Sequence, residues 1–198
     1  MTAESWVVVA VAAVLGFFVG SINPATMVAR TRHADLQQGS GNPGATNVGR
    51  VLGVRWGVVV GLLDALKGFL PTFMALLLVD RFTAYVVGLA TVLGHVLSPF
   101  LHGRGGKGVA TSLGAILVVF PWLAVAMLVI FAVTLWWTKW VAGSSIAVAG
   151  LLALYTGLAP LPDPVAAGRA WGICLALLVI VRHHGNIRRW IHGRFGLI

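Results

Sequence analysis

The sequence predicts an all-α integral membrane protein of about seven transmembrane helices, with the amino terminus outside and the carboxyl terminus cytoplasmic. Three observations carry that prediction. Of 198 residues, 59% are hydrophobic and only 10% charged, with a mean hydropathy of +0.94, whereas soluble chains average about a quarter charged. Apolar segments follow one another from end to end, leaving no room for a soluble domain, so residues 1–198 read as one domain. The basic residues fall into a few connecting segments.

Taken in order, the candidate spans are Trp6–Val28, Val51–Val79, Thr83–Phe100, Val109–Phe120, Trp122–Val141, Ser144–Leu158 and Ala167–Val181. No basic residue precedes the first run and Glu4 does, which argues for a retained span rather than a cleaved signal. Val109–Phe120 is short for a hydrocarbon core of roughly 30 Å, and can instead join the next run across Pro121 as one bent helix. Charge decides between the two. With seven passes, one side receives the basic residues from Arg30 to Arg55, Arg104, Lys107, Lys139 and the tail from Arg182 to Arg194, while the other has only Arg81 and Arg169. That is the positive-inside pattern, and it accounts for the net charge of +9 without nucleic acid. The outer connections, Asp80-Arg81-Phe82 and Ala159–Pro164, read as plain turns, and Cys174 has no partner for a disulfide.

In the second span, Gly53, Gly57 and Gly61 form a small-residue stripe that lets membrane helices approach closely. Asp64 continues the stripe and so faces protein, with Lys67 one turn on; the pair reads equally as structural or as part of a site.

Three polar segments share the cytoplasmic face. The first, Ala34–Arg50, sets Gly39, Gly41 and Gly44 among Ser40, Asn42, Thr46 and Asn47, short side chains that can wrap a small polar ligand, and closes on the donor fork of Arg50. The second, Gly94–Thr111, contains Gly105-Gly106-Lys107-Gly108 where a helix begins, an anion nest with an added point charge. It is not a Walker A loop, because Gly108 follows Lys107. The third, Arg182–Arg189, offers His183 and His184, of which only one can point at a site, and Asn186 three residues after His183. Taken alone, this segment reads as a lipid-headgroup anchor. Asp35 is the one carboxylate in these loops, and no Cys/His metal cluster accompanies them. Such a site binds anions and stabilises developing negative charge. It needs no metal or cofactor.

These residues resemble a known family. Gly20-Ser21-Ile22 with Pro24, Gly39 to Asn47 with Arg50, Gly105 to Thr111, and His183 with Asn186-Ile187 and Arg189 are similar to the bacterial acyl-phosphate-dependent glycerol-3-phosphate acyltransferases, the PlsY family. The resemblance runs nearly the full chain. It implies a seven-span inner-membrane enzyme with its site facing the cytoplasm, transferring a fatty acyl group from acyl phosphate to the 1-hydroxyl of glycerol 3-phosphate. It also implies a soluble enzyme that supplies the acyl phosphate. Residue by residue, it gives Ser40, Arg50, His183 and Asn186 catalytic roles. Thr46, Asn47, Gly105, Gly106, Lys107, Gly108 and, on a weaker local match, Ser145 bind substrate or phosphate. Three positions depart from the pattern: Asn23 is inserted before Pro24, Gln37 or Gln38 stands where arginine is usual, and Phe195 replaces a glutamate.

The expected mechanism is direct transfer without a covalent intermediate, with His183 as general base or Ser40 as acylated nucleophile as competing versions. The rival readings are a transporter of a phosphorylated solute, and a degenerate paralogue with a different donor or no activity.

Overall fold

The computed structural model describes residues 2–193, and every regular element among them is helical. The chain divides into two compact units, Met1–Val119 and Phe120–Ile198. Six helical stretches are long and apolar enough to cross a membrane, and the predicted run Val109–Phe120 is a shorter apolar helix, Val109–Val119.

The first unit contains α1 (Ala3–Ser21), α2 (Pro24–Thr31), α3 (Ala45–Leu52), α4 (Val54–Leu78), α5 (Arg81–Leu97) and α6 (Val109–Val119). α1 and α2 together make the first span, broken at Ile22–Asn23. The break has a local cause: the Asn23 carboxamide oxygen accepts from Thr26 N–H at 2.9 Å, and Pro24 opens the new helix at its first position. α1 and α5 run parallel, with Trp6 edge-on to Phe82 at one end (5.8 Å) and the Ser98 hydroxyl donating to Ser21 O at the other (2.7 Å). Glycine makes that contact possible. A Cβ at Gly20 would strike the Thr91 backbone, and one at Gly94 the Phe17 backbone.

The stripe at Gly53, Gly57 and Gly61 serves a different partner from the one its spacing suggests. Gly53 lies outside α4 as its cap (φ 92°), while Gly57 faces Gly49 and Gly61 faces Ala45, both on α3. The stripe receives this short helix, whose Val48 is buried with Ala25 and Val60. α4 instead meets α6 through Gly68 against Thr111 and Gly114 against Ala65. At 1.5 Å per residue, α6 is roughly 16 Å long, about half of a hydrocarbon core. It is also not continuous with the next helix, because Phe120 leaves helical geometry (φ −138°, ψ 68°) and Pro121 starts afresh.

The second unit holds α7 (Pro121–Thr138), α8 (Val141–Leu158), α9 (Val165–Arg182) and α10 (His184–Ile191). Trp122, Trp136 and Trp137 stand exposed at the two ends of α7, where amphipathic rings suit membrane interfaces. α8 and α9 form a hairpin, and Trp140 before α8 stacks on Trp190 of α10 at 5.8 Å. The start of α8 and the end of α9 therefore lie at the same end of this unit. Phe195, where the family pattern has glutamate, lies outside the described residues.

Candidate functional site

Loop 1, residues 32–44, is built around Asn47 of α3. Its amide donates to Leu36 O at 2.8 Å, and its carbonyl oxygen accepts from Ser40 N–H at 2.6 Å. Leu36 O also accepts from Gly41 N–H at 3.1 Å, so the loop curls around a single carbonyl. Gly39 must be glycine because a Cβ there would strike the Asn47 side chain, and Gly41 has φ 72°. The carboxylate of Asp35 is occupied in capping Gln37 N–H at 2.8 Å. What this leaves outward is Ser40, Thr46 and Arg50, all exposed, the last two one helical turn apart on the same face of α3. Gly44 caps α3 without a side chain; Asn47 N–H donates to Gly44 O at 3.0 Å, which leaves the amides of Ala45 and Thr46 as the donors at the head of the helix. Asn47 is thus spent on shaping the loop. Asn47→Ala removes the side-chain partner of Ser40 N–H and one of the donors to Leu36 O; it is expected to destabilise the protein by about 1–3 kcal/mol, read from detergent unfolding curves.

Loop 2 follows α5. The turn Pro99–Leu101 leads through His102 and Gly103, both at positive φ, after which the chain folds back on the end of α5. Gly105 N–H donates to Val96 O at 3.0 Å, and Gly106 N–H to His95 O at 3.1 Å. These two amides point at protein, which differs from a nest in which every glycine donates outward. The two glycines serve close approach instead: a Cβ at Gly105 would strike His95 O, and one at Gly106 the His95 ring. The donors left at the head of α6 are those from Gly108 onward (φ 83°), which have no carbonyl one turn back. Lys107, half-buried, stands beside them. The spacing gave no sign of Thr111 and Ser112 as further donors. Both are buried in the first turn of α6, and their hydroxyls have no hydrogen-bond partner among the described residues. Because α1 and α5 run parallel, loops 1 and 2 lie at one end of the first unit.

Beneath loop 2 sits a buried charged cluster. Asp64 Oδ1 lies 3.0 Å from Lys67 Nζ, an ion pair, and 3.4 Å from His95 Nδ1. Lys67 also donates to Ile22 O at 2.7 Å. His95 stands at the start of the second polar segment, and only the packing of α5 on α4 brings it to Asp64.

In the second unit, His183 is the hinge between α9 and α10 and is buried. Its Nδ1 lies 2.7 Å from Val179 O, and since a carbonyl only accepts, Nδ1 carries the proton and Nε2 is the basic nitrogen of the neutral ring. His184 is exposed, so one of the two adjacent histidines faces inward, as expected. Asn186 N–H donates to His183 O at 2.8 Å, which fixes the half-buried Asn186 one turn away. Ser145 is buried near the start of α8, its hydroxyl donating to Val141 O at 2.9 Å. It shares its end of the α8–α9 hairpin with His183.

Fold and residues together define a helical integral membrane protein whose polar loops open α3 and α6, with Ser40 and Lys107 in the loops and Arg50 in the last turn of α3. Comparison with known proteins agrees. The family profile described as glycerol-3-phosphate acyltransferase matches residues 10–193. A glycerol-3-phosphate acyltransferase of Aquifex aeolicus is 37% identical over 184 residues, 91% of this chain and 94% of that one. Glycerol-3-phosphate acyltransferase 1 of Deinococcus radiodurans is 40% identical over 183 residues, 90% of this chain and 89% of that one. Two crystal structures of PlsY, an integral membrane glycerol 3-phosphate acyltransferase, are also similar. The glycerol 3-phosphate form gives a TM-score of 0.90 at 35% identity, covering 96% of this chain and 95% of that chain. The lysophosphatidic acid form gives 0.89 at 34% identity, with the same coverage. The chain belongs to the glycerol-3-phosphate acyltransferase family.

Proposed function

We propose that this protein transfers a fatty acyl group from acyl phosphate to the 1-hydroxyl of glycerol 3-phosphate, forming lysophosphatidic acid and inorganic phosphate. The observation that carries the reading is the pair of glycine loops at one end of the first unit: loop 2 opens α6 beside Lys107, and loop 1 opens α3, which carries the exposed Arg50 in its last turn. Two phosphate-bearing substrates need two such places.

The glycerol hydroxyl oxygen attacks the acyl carbonyl, the carbon–oxygen bond to phosphate breaks, and phosphate leaves with the electron pair. Because the glycerol hydroxyl attacks the donor directly, no covalent enzyme intermediate forms, and the hydroxyl proton passes to a substrate phosphate. Arg50 and Lys107 neutralise the phosphates, while amides at the head of a helix stabilise the oxyanion. Ser40, Thr46, His183, Asn186 and Ser145 orient the nucleophile and the acceptor's phosphate, with Asn47 holding Ser40 in place. Gly105, Gly106 and Gly108 shape the phosphate loop. Its donor, a mixed anhydride with a long chain, comes from a soluble enzyme.

Purified protein given palmitoyl phosphate is expected to release inorganic phosphate only when glycerol 3-phosphate is present. Release that ignores the acceptor, or none from folded protein, removes this reading and favours another donor or solute transport.

The same proposal places the protein in the bacterial inner membrane with seven passes, amino terminus outside and loops facing the cytoplasm, α6 counting as a pass. With Cys174 replaced by alanine, a cysteine at Gln38 is expected to react with an impermeant maleimide only after the membrane is opened. One at Asp163 is expected to react in intact spheroplasts. The reverse pattern inverts the topology.

A further inference from the structure

The buried cluster of Asp64, Lys67 and His95 lies between the two polar loops of the first unit and touches the path to both. Toward loop 1, Lys67 donates to Ile22 O at 2.7 Å at the break between α1 and α2. The next residue, Asn23, caps α2 and donates through its side-chain amide to Pro43 O of loop 1 at 3.0 Å. Toward loop 2, the His95 ring meets Asp64 on its Nδ1 side at 3.4 Å. Its Nε2 edge abuts Gly106 so closely that no Cβ fits, and its carbonyl accepts Gly106 N–H at 3.1 Å. Lys107 and the head of α6 follow directly.

Asp64 is 2%, His95 4% and Lys67 8% exposed, so the charges are withdrawn from water at an energetic cost. Apolar side chains of similar volume would hold α4 against α1 and α5 without that cost. What they would not do is fix direction. A carboxylate pulled from both sides, by a lysine that also grips Ile22 O and by an imidazole that carries Gly106, sets the height of loop 2 against the start of α2.

We propose that the Asp64–Lys67–His95 cluster is a positioning device for the phosphate loop, and that His95 is the positioning residue through which it acts. Asp64 orients the imidazole from Nδ1, and the ring and its carbonyl together seat Gly105 and Gly106. Lys107 and the α6 amides are thereby held at one level. Asn23 extends the same bracket to loop 1. The role of the loop rests on the acyltransferase reading above.

The test compares full-length wild type with His95→Ala, His95→Asn and His95→Gln, reading thermal unfolding, kcat and KM for phosphate release, and inhibition by inorganic phosphate. Asparagine offers a donor near the Nδ1 position and glutamine one near Nε2. In folded His95→Ala protein, kcat/KM is expected to fall about tenfold to a hundredfold, with inhibition by phosphate weakened about tenfold. His95→Asn is expected to recover both to within about threefold, and His95→Gln to recover less. A purely structural role would lower the yield of folded protein and leave the phosphate inhibition constant of the folded fraction unchanged. The proposal is overturned if His95→Ala keeps both constants within about twofold, or if asparagine restores no more than glutamine does. Should His95→Ala fail to fold, the asparagine and glutamine pair decides by the same criterion. Should wild type prove inactive, the acyltransferase reading fails alone, because calorimetric binding of inorganic phosphate across the same variants still measures the loop. Wild type that binds no phosphate overturns both.

Discussion

Replacing Lys107 with alanine is expected to lower kcat by about a hundredfold to a thousandfold, in protein that still folds. Lys107 is half-buried and lies between Gly106 and Gly108, two residues before α6 begins. The helix contributes roughly half a positive charge at that end, and Lys107 adds a full one where the departing phosphate accumulates negative charge. Substrate carries much of that charge before reaction and more of it as the carbon–oxygen bond breaks, so the loss falls on both kcat and KM. Lys107→Arg is not a neutral exchange, because the planar fork is larger than the point charge this loop encloses, and only partial rescue is expected. Phosphate release with glycerol 3-phosphate present is the measurement. A rate within threefold of wild type would remove Lys107 from the reaction.

The second large effect is on stability. Lys67→Met leaves Asp64 buried and facing only His95, which at a site this dry is expected to cost about 3–5 kcal/mol of unfolding free energy. Asp64→Asn strands the lysine and costs a similar amount. The double variant, which removes both charges, is expected to regain most of the loss, giving a coupling well above the roughly 0.5 kcal/mol that independent sites show. Unfolding in a denaturing detergent, with the four proteins compared as a cycle, measures it. Additive losses would mean that the two charges do not stabilise each other. The regained stability is not expected to restore phosphate binding, since the double variant has lost the group that orients His95.

The inserted asparagine shows how far a motif alone can be read. Against the family pattern, Asn23 looks like an interruption between Ile22 and Pro24. In three dimensions it caps α2 and holds Pro43 O, two contacts that create the break in the first span. The glycine stripe teaches the complementary lesson. Its four-residue period correctly marks a face of close approach, but period alone does not name the partner, and an eight-residue interfacial helix takes the place expected of a span.

What the sequence determined by itself was what depends on composition and local order. Hydropathy marked the apolar stretches, because the cost of exposing backbone in hydrocarbon leaves helices as the available solution. Glycine runs marked loops 1 and 2, because positive φ and close approach demand glycine wherever they occur. Ser40, Thr46, Arg50 and Lys107 stood out as candidates because polar and cationic side chains among glycines have few uses in an apolar chain; the structure leaves Ser40, Thr46 and Arg50 exposed. Tertiary structure alone decided which polar groups were already occupied. Asn47, Gly105 and Gly106 turn their hydrogen-bonding groups toward the protein, and nothing in their spacing says so. It also decided that His95, at the start of the second polar segment, lies beside Asp64, residues 31 positions apart in sequence joined by the packing of α5 on α4. A charge buried in a membrane span requires a partner, but where that partner comes from is set by which helices touch.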